Sequence, residues 1–287
     1  MISWPPSLVR EIAARRCVLF LGAGVSASAV DPGNSANRPK TWAEFLKEAA
    51  DLINVPKRRK IIEKLIKEKK FLLALQGIRD EANSADYRDL LNRNFNNPAF
   101  RESELHKCIL ELDARIVITS NFDKIYDNYC TRGEGSGAFK VISYHSGDLV
   151  DEIRSDTRLI IKAHGSIDNI STMMFTRAEY HRAKEEYSRF YEILKAIFLT
   201  HTAVFIGCSM EDPDVLLMLE DVKITASAER PHYVLIRQRS QDIYSVSDWK
   251  KTYNISPLEY GPSHADLVND LKALQELVDQ ERLTTVT

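Results

Sequence analysis

The sequence lacks the marks of several large protein classes. Its 287 residues include only four cysteines, and none forms a Cys-x-x-Cys pair, which argues against a disulfide framework and a structural zinc site. No apolar run approaches the roughly 18 residues that a membrane span needs, and residues 1–10 do not resemble a signal peptide. The 39 basic and 41 acidic residues nearly cancel, which does not favour direct nucleic-acid binding. We expect a cytoplasmic protein that uses no metal and binds no membrane.

The most informative local pattern is a short apolar run followed by a turn of small residues. Cys17–Leu21 is apolar throughout, which is typical of a strand buried on both faces. Gly22-x-Gly24-x-x-Ala27 then fits a dinucleotide-binding pattern, in which glycines let backbone N–H groups approach a pyrophosphate and a helix opens near Ala27. The alternative is a tight turn that binds no ligand. The acidic residue that a dehydrogenase carries about 20 positions on is not at a second strand here, since Glu44 lies in a helical pattern.

Four further apolar runs alternate with helical patterns along the chain. They occupy residues 115–119, 159–163, 203–206 and 232–236, and the longest helical pattern between them covers residues 178–200. Short β-branched runs that alternate with helices predict an α/β protein built on a doubly wound parallel sheet.

We predict that residues 1–287 form a single domain. Its core would consist of residues 14–40 and 113–262, a helical insertion would cover residues 41–112, and a C-terminal helix would cover residues 263–287. The leucines of that last helix suit either packing on the chain's own core or an oligomer or partner interface.

Two segments near the glycine turn allow more than one interpretation. The loop over residues 30–40 is either a lid over a ligand or a plain surface connection. Thr41 and Glu44 then form a capping-box pattern that predicts a helix start. The basic residues between positions 57 and 70 surround an apolar stripe, which favours a solvated helix face over a contact with phosphates.

Polar or small residues follow three of the predicted strands. Asn121 and Asp123 come after one strand, His164 after another, and Gly207 and Ser209 after a third. Because the carboxyl ends of parallel strands meet at one edge of a sheet, these residues would join the glycine turn in one ligand-binding rim. An imidazole can accept a proton, an amide can hold a water, and a carboxylate can accept hydrogen bonds from ribose hydroxyls. The alternatives are a structural histidine and helix capping by the residues around Phe122.

These residues together resemble the four NAD-binding signatures of the sirtuin (SIR2) superfamily. The signatures read Gly-Ala-Gly-Val-Ser, Thr-Ser-Asn-Phe-Asp, Lys-Ala-His-Gly and Gly-Cys-Ser-x-x-Asp, and they begin at residues 22, 119, 162 and 207. The resemblance implies a Rossmann-like fold in which the pyrophosphate is held by Gly22, Ala23, Gly24 and Ser26. The resemblance also implies that Asn121 and Asp123 lie at the nicotinamide ribose, and that Gly207 and Ser209 border the adenosine ribose. It implies that His164 is the catalytic base and acts together with Asn121.

Two departures from the protein-deacylating sirtuins narrow the resemblance. The chain lacks their four-cysteine zinc module and has a helical block instead, and residues 30–40 lack their Phe-Arg element. In this respect the chain is similar to the SIR2-like branch found in bacterial anti-phage systems, where such domains hydrolyse NAD. The resemblance therefore implies an NAD glycohydrolase that cleaves its substrate NAD to nicotinamide and ADP-ribose without a metal, as the toxic effector of a defence system.

Two other functions stay open at this point. One is an NAD-dependent protein deacylase, which needs a groove for an acyl-lysine peptide. The other is a non-catalytic module that binds NAD or ADP-ribose and regulates a partner. We also expect a homo-oligomer, and the resemblance implies a separate partner such as a HerA-type ATPase or a short Argonaute.

Overall fold

A seven-stranded sheet, in which every paired strand is parallel to its neighbour, lies at the centre of the molecule. The computed structural model describes residues 1–132, 139–210, 219–220 and 230–285. Its strands are β1 (Cys17–Leu21), β2 (Ile116–Thr119), β3 (Phe139–Ser143), β4 (Arg158–Lys162), β5 (Thr202–Ile206), β6 (His232–Arg237) and β7 (Ile255–Tyr260). They are ordered β3-β4-β2-β1-β5-β6-β7. The prediction of a doubly wound parallel sheet is confirmed.

Helices cover both faces of this sheet. Successive residues of a strand point to opposite faces, so Val18 and Phe20 of β1 join one apolar cluster, while Leu19 and Leu21 join the other. All five β1 residues are buried because strands covered on both faces have no solvent side.

The helices described fall into three groups by position along the chain. Before and just after β1 come α1 (Pro6–Ala13) and α2 (Ala23–Ala27). Between β1 and β2 lie α3 (Trp42–Ala50), α4 (Pro56–Lys67), α5 (Phe71–Glu81), α6 (Ser84–Phe95) and α7 (Glu104–Glu111). After β2 come α8 (Ile125–Arg132), α9 (Leu149–Arg154), α10 (Arg177–Glu186), α11 (Ser188–Thr200), α12 (Ile243–Tyr253) and α13 (His264–Thr285). None of these described helices has both the length and the apolar character that crossing a membrane demands.

The structure differs from the sequence-based prediction at two helices. The helix after the glycine turn begins at Ala23 and ends at Ala27, where it was expected to begin. The pattern over residues 178–200 is split at Tyr187, whose backbone (φ −120°, ψ 38°) leaves the helical region and separates α10 from α11.

The helical block between β1 and β2 packs on the strand ends through an aromatic cluster. Phe122, which follows β2, lies 4.4 Å from Phe175 between ring centroids, and Phe95 of α6 lies 5.5 Å from Phe122. Trp42 at the start of α3 contacts Phe122 edge-on at 6.4 Å. The Thr41–Glu44 capping box that precedes this helix is present, as predicted. The block therefore rests on the loops that carry the predicted site residues, and its description as an insertion that replaces a zinc module stays a prediction.

The C-terminal helix α13 packs on the chain's own core. Leu267, Leu271, Leu274 and Val278 are buried in the cluster that covers one face of the sheet. Leu277 is 40% exposed, because it lies off this stripe. Of the two interpretations of the leucine pattern, packing on the core is confirmed.

Candidate functional site

The turn after β1 lies directly against the turn after β5. The Gly22 N–H donates to the Ile206 carbonyl at 3.0 Å, and the Gly24 N–H donates to the Gly207 carbonyl at 2.8 Å. β1 pairs with β2 on one side and β5 on the other, and the chain reaches β5 only after building β2, β3 and β4. The two turns therefore lie at the point where the sheet switches direction, which is where such sheets bind ligands.

Glycine is required in these turns because the two backbones are too close for a Cβ atom. A Cβ on Gly22 would lie 2.6 Å from the Gly207 carbonyl oxygen, and one on Gly24 would lie 2.8 Å from the same atom. Gly207 itself has a φ of +66°, and a Cβ there would lie 2.6 Å from the Val25 nitrogen. From the sequence, the glycines were expected to let a ligand approach the backbone N–H groups. The structure adds a second reason for glycine at these positions, which is the close packing of the two turns.

Asn121 is held against the glycine turn by its own side chain. Its Nδ2 donates to the Gly22 carbonyl at 2.9 Å, and its backbone N–H donates to the Thr119 Oγ1 at 3.0 Å. Thr119 in turn donates to the Leu21 carbonyl at 2.9 Å. With Nδ2 committed to protein, the amide retains Oδ1 as an acceptor for a water or a ligand.

Asp123 bridges two elements that the sequence placed in the same site. Its Oδ2 accepts from the Ser26 hydroxyl at 2.5 Å, and its Oδ1 accepts from the Ile125 N–H at the start of α8 at 3.0 Å. The capping role considered from the sequence is therefore present. The bond to Ser26 also brings together a residue predicted for the pyrophosphate and one predicted for a ribose.

Two adjoining cavities run along these strand ends. The larger has a volume of about 780 Å³ and is bordered by the glycine turn together with Gly207 and Ser209. The smaller, of about 70 Å³, is bordered by Ser26, Asn121 and Asp123. The wall residues that the two cavities share are Ala23, Ala27, Trp42 and Ser120. Together they form one cleft that crosses the ends of β1, β2 and β5, and the larger cavity alone is in the size range of small-ligand sites.

Several residues that line this cleft had no role in the sequence-based site. Arg38 borders the larger cavity and Lys40 the smaller one, so the loop over residues 30–40 forms part of the wall. Tyr260 and His264 border the far end of the larger cavity, where the Tyr260 hydroxyl and the His264 Nδ1 are 2.9 Å apart. For Arg38 and Lys40, the only signal in the sequence was the composition of the loop. Tyr260 gave no signal, because β7, which carries it, was not predicted.

His164 lies in the turn after β4, the strand next to β2, and is not among the residues that border either cavity. The registered pair Thr119 and Lys162 places Asn121 and His164 each two residues beyond adjacent strands. The imidazole is 3% exposed, and its Nε2 has no hydrogen-bond partner in the described part of the chain. Burial lowers the pKa of His164 to about 4, so the ring is neutral at pH 7 and a weaker base than the sequence suggested.

The nine predicted site residues are therefore brought to one edge of the sheet, with eight of them at the cleft wall or bonded within it. Asp212, which completed the fourth motif, lies outside the described residues. Within the described ranges, no cluster of three or more His, Cys, Asp or Glu side chains is arranged to hold a metal ion.

A parallel α/β sheet with a cleft at its switch point defines a Rossmann-like protein. The chain belongs to the SIR2-like family, because the family model of the SIR2-like domain matches residues 115–258. The match covers β2 to β6 and the first residues of β7, and thus every predicted site residue except Gly22, Ala23, Gly24 and Ser26.

Among curated proteins, the chain is similar to NAD(+) hydrolases and to a defense-associated sirtuin. NAD(+) hydrolase ThsA of Enterococcus faecium is 26% identical over 226 residues, which are 77% of this chain and 43% of that protein. NAD(+) hydrolase ThsA of Cytobacillus dafuensis is 25% identical over 79% of this chain and 42% of its own length. Defense-associated sirtuin 2 of Bacillus subtilis is 26% identical over 72% of this chain and 19% of its length. The chain thus spans less than half the length of these relatives.

Proposed function

We propose that this chain hydrolyses NAD to nicotinamide and ADP-ribose as the effector of an anti-phage defence system. The observation that carries the proposal is the single cleft, whose smaller cavity is bordered by Asn121 and Asp123 and whose larger cavity is bordered by the paired glycine turns. Membership of the SIR2-like family and the printed names of the relatives support the choice of NAD among nucleotides.

The wall of each cavity suits one half of NAD. Aromatic side chains of Trp42, Phe95 and Phe122 border the smaller cavity and suit a planar nicotinamide ring. The larger cavity, with Arg38 and Arg237 in its wall, suits the anionic ADP-ribose half. The ribose bonded to nicotinamide would then lie next to Asn121.

The reaction breaks the bond between nicotinamide and the C1′ atom of its ribose. The bonding electron pair leaves with the nicotinamide nitrogen, a water oxygen bonds to C1′, and one proton is released. The Oδ1 of Asn121 would orient that water by accepting a hydrogen bond from it. The Nε2 of His164, which is buried and has no hydrogen-bond partner among the described residues, would accept a proton from the water or from a ribose hydroxyl.

The test is to incubate the purified chain with NAD and identify the products by mass spectrometry. We expect nicotinamide and ADP-ribose in equal amounts, and a loss of at least about 100-fold in rate for Asn121→Ala and for His164→Ala. Asn128→Ala on α8 and His181→Ala on α10 are matched controls, because Asn128 does not border the cleft and His181 is exposed on α10 and, unlike His164, does not follow a strand of the sheet. Wild-type rates in a folded Asn121→Ala or His164→Ala variant would remove that residue from the mechanism.

The burial of His164 favours a second candidate, a module that binds NAD or ADP-ribose and regulates a partner without turnover. Tight NAD binding with no product, even with the partner present, would select this candidate. Formation of O-acetyl-ADP-ribose from NAD and an acetylated peptide would instead select a protein deacylase.

We propose further that the chain acts in the cytoplasm as a homo-oligomer, together with a separate partner such as a HerA-type ATPase or a short Argonaute. Leu277 and Leu283 on the outer side of α13 are exposed and available for such contacts. Light scattering on the purified chain would measure the oligomeric state. NAD consumption with and without the protein encoded next to it would test the partner, and equal rates in both would contradict its role as an activator.

A further inference from the structure

A buried ion pair lies beneath the cleft and has no part in the mechanism above. Lys162 is the last residue of β4, and its side chain is 1% exposed. Its Nζ is 3.0 Å from the Oδ2 of Asp127 on α8, whose side chain is 6% exposed. The same Nζ donates to the backbone carbonyl of Asp123 at 2.6 Å.

The burial of this ion pair is unfavourable in free energy, so we expect the pair to contribute something in return. Burying two charges costs more than an apolar pair of the same volume in many proteins. Here the compensation is incomplete, since the Oδ1 of Asp127 has no hydrogen-bond partner in the described part of the chain. Burial raises the pKa of Asp127, and the Lys162 ammonium only opposes that rise.

Through its two partners, Lys162 connects α8 to the segment that borders the cleft after β2. Its bond to the Asp123 carbonyl fixes the backbone of the segment that carries Asn121. Asp123 in turn accepts from Ser26 and from the first turn of α8. His164, the proposed base, follows Lys162 by two residues in the chain.

We propose that Lys162 is a positioning residue, which with Asp127 holds the segment over residues 121–123 in the geometry that the reaction at the ribose requires. This inference rests on the proposed NAD hydrolysis. It assigns to the ion pair a role in turnover beyond the anchoring of α8, because the bond that matters is the one to the Asp123 carbonyl.

The decisive variant replaces both members of the pair with apolar residues. Lys162→Met alone leaves Asp127 buried without its cation and is expected to lower the melting temperature. The double variant Lys162→Met with Asp127→Leu is expected to recover the melting temperature of the wild type. A purely structural pair predicts that activity recovers with it. Our proposal predicts that kcat stays about 10- to 100-fold low, because the Asp123 carbonyl still lacks its donor.

Two further measurements separate positioning from binding. The dissociation constant of ADP, which lacks the ribose that would lie next to Asn121, should change less than about threefold in the double variant, because the turns after β1 and β5 are untouched. Lys124→Met is the matched control, because Lys124 lies in the segment between β2 and α8 that carries Asn121 and Asp123. Its side chain pairs with Asp168 at the surface at 2.7 Å. This control should retain the wild-type kcat.

A double variant with wild-type stability and wild-type kcat would overturn the proposal. If the wild type itself does not turn over NAD, the proposed function fails and the inference is judged on hydrogen exchange. The amides of residues 121–125 should then exchange at least about tenfold faster in the double variant than in the wild type. Unchanged exchange there would overturn the positioning role independently.

Discussion

At the scale of single residues, Gly207 combines two constraints that no other residue type meets. Its φ of +66° lies in the left-handed region, and a side chain would collide with the Val25 backbone nitrogen. The bond from Gly24 to its carbonyl depends on the same close approach. Gly207 therefore maintains the contact between the two turns that border the larger cavity.

We predict that Gly207→Ala lowers the free energy of unfolding by about 1–3 kcal/mol, because it adds backbone strain and a collision between backbones. Gly147→Ala is the matched control: no atom lies within 4 Å of the Cβ that it would add. This control should stay within about 0.5 kcal/mol of the wild type. Urea unfolding of the two variants makes the comparison, and equal stability would contradict the packing explanation.

The individual site residues were predictable to different degrees. Asn121 and Asp123 follow a buried strand, and polar residues at such a position lie next to the ends of the neighbouring parallel strands. The burial of His164 was not predictable, because a residue two positions past a strand can turn toward the cleft or toward the core. The positive φ of Gly165 (+89°), which directs the chain at this point, leaves no trace in the sequence beyond the glycine itself.

At the scale of secondary-structure elements, α13 provides a test of where its leucines pack. We predict that Leu274→Ala costs about 2–5 kcal/mol, because this side chain is 1% exposed within the core. Leu277→Ala on the same helix should cost less than about 1 kcal/mol, because the side chain is 40% exposed. Thermal unfolding of the isolated chain measures both. A loss for Leu277→Ala as large as that for Leu274→Ala would contradict the assignment of Leu274, and not of Leu277, to the core.

The central strands were predicted correctly and the edge strands were missed, for a physical reason. β1, β2, β4 and β5 are flanked by strands and covered by helices, so each contains a continuous apolar run. β3 and β7 are edge strands that carry polar residues, and β7 contains Pro257, which a strand tolerates only at an edge. Runs of this mixed composition cannot be distinguished from loops by periodicity alone.

At the scale of the whole molecule, three buried histidines make stability depend on pH. Burial lowers the pKa of His106, His164 and His232 to about 4, from an ordinary value of 6.5. Between these two pH values the unfolded chain binds more protons than the folded chain, so stability rises with pH. The contribution is fully present above pH 6.5 and is lost as the pH falls through about 4.

We therefore predict that the free energy of unfolding decreases steadily from pH 7 to pH 4.5. Urea unfolding at a series of pH values measures this slope. The variant His232→Gln should reduce it, whereas His181→Gln, at an exposed position on α10, should leave it unchanged. A stability that is constant over this range would contradict the buried, neutral state of these rings.

The central claim is that the ends of β1, β2 and β5 form one site for the substrate. Hydrogen–deuterium exchange on the purified chain with and without ADP-ribose tests it most directly. The account predicts slower exchange in residues 22–28, 119–125 and 207–210 together, and unchanged exchange in α4, which lies outside the cleft. Protection confined to one of these segments, or found in none of them at saturating ADP-ribose, would contradict it.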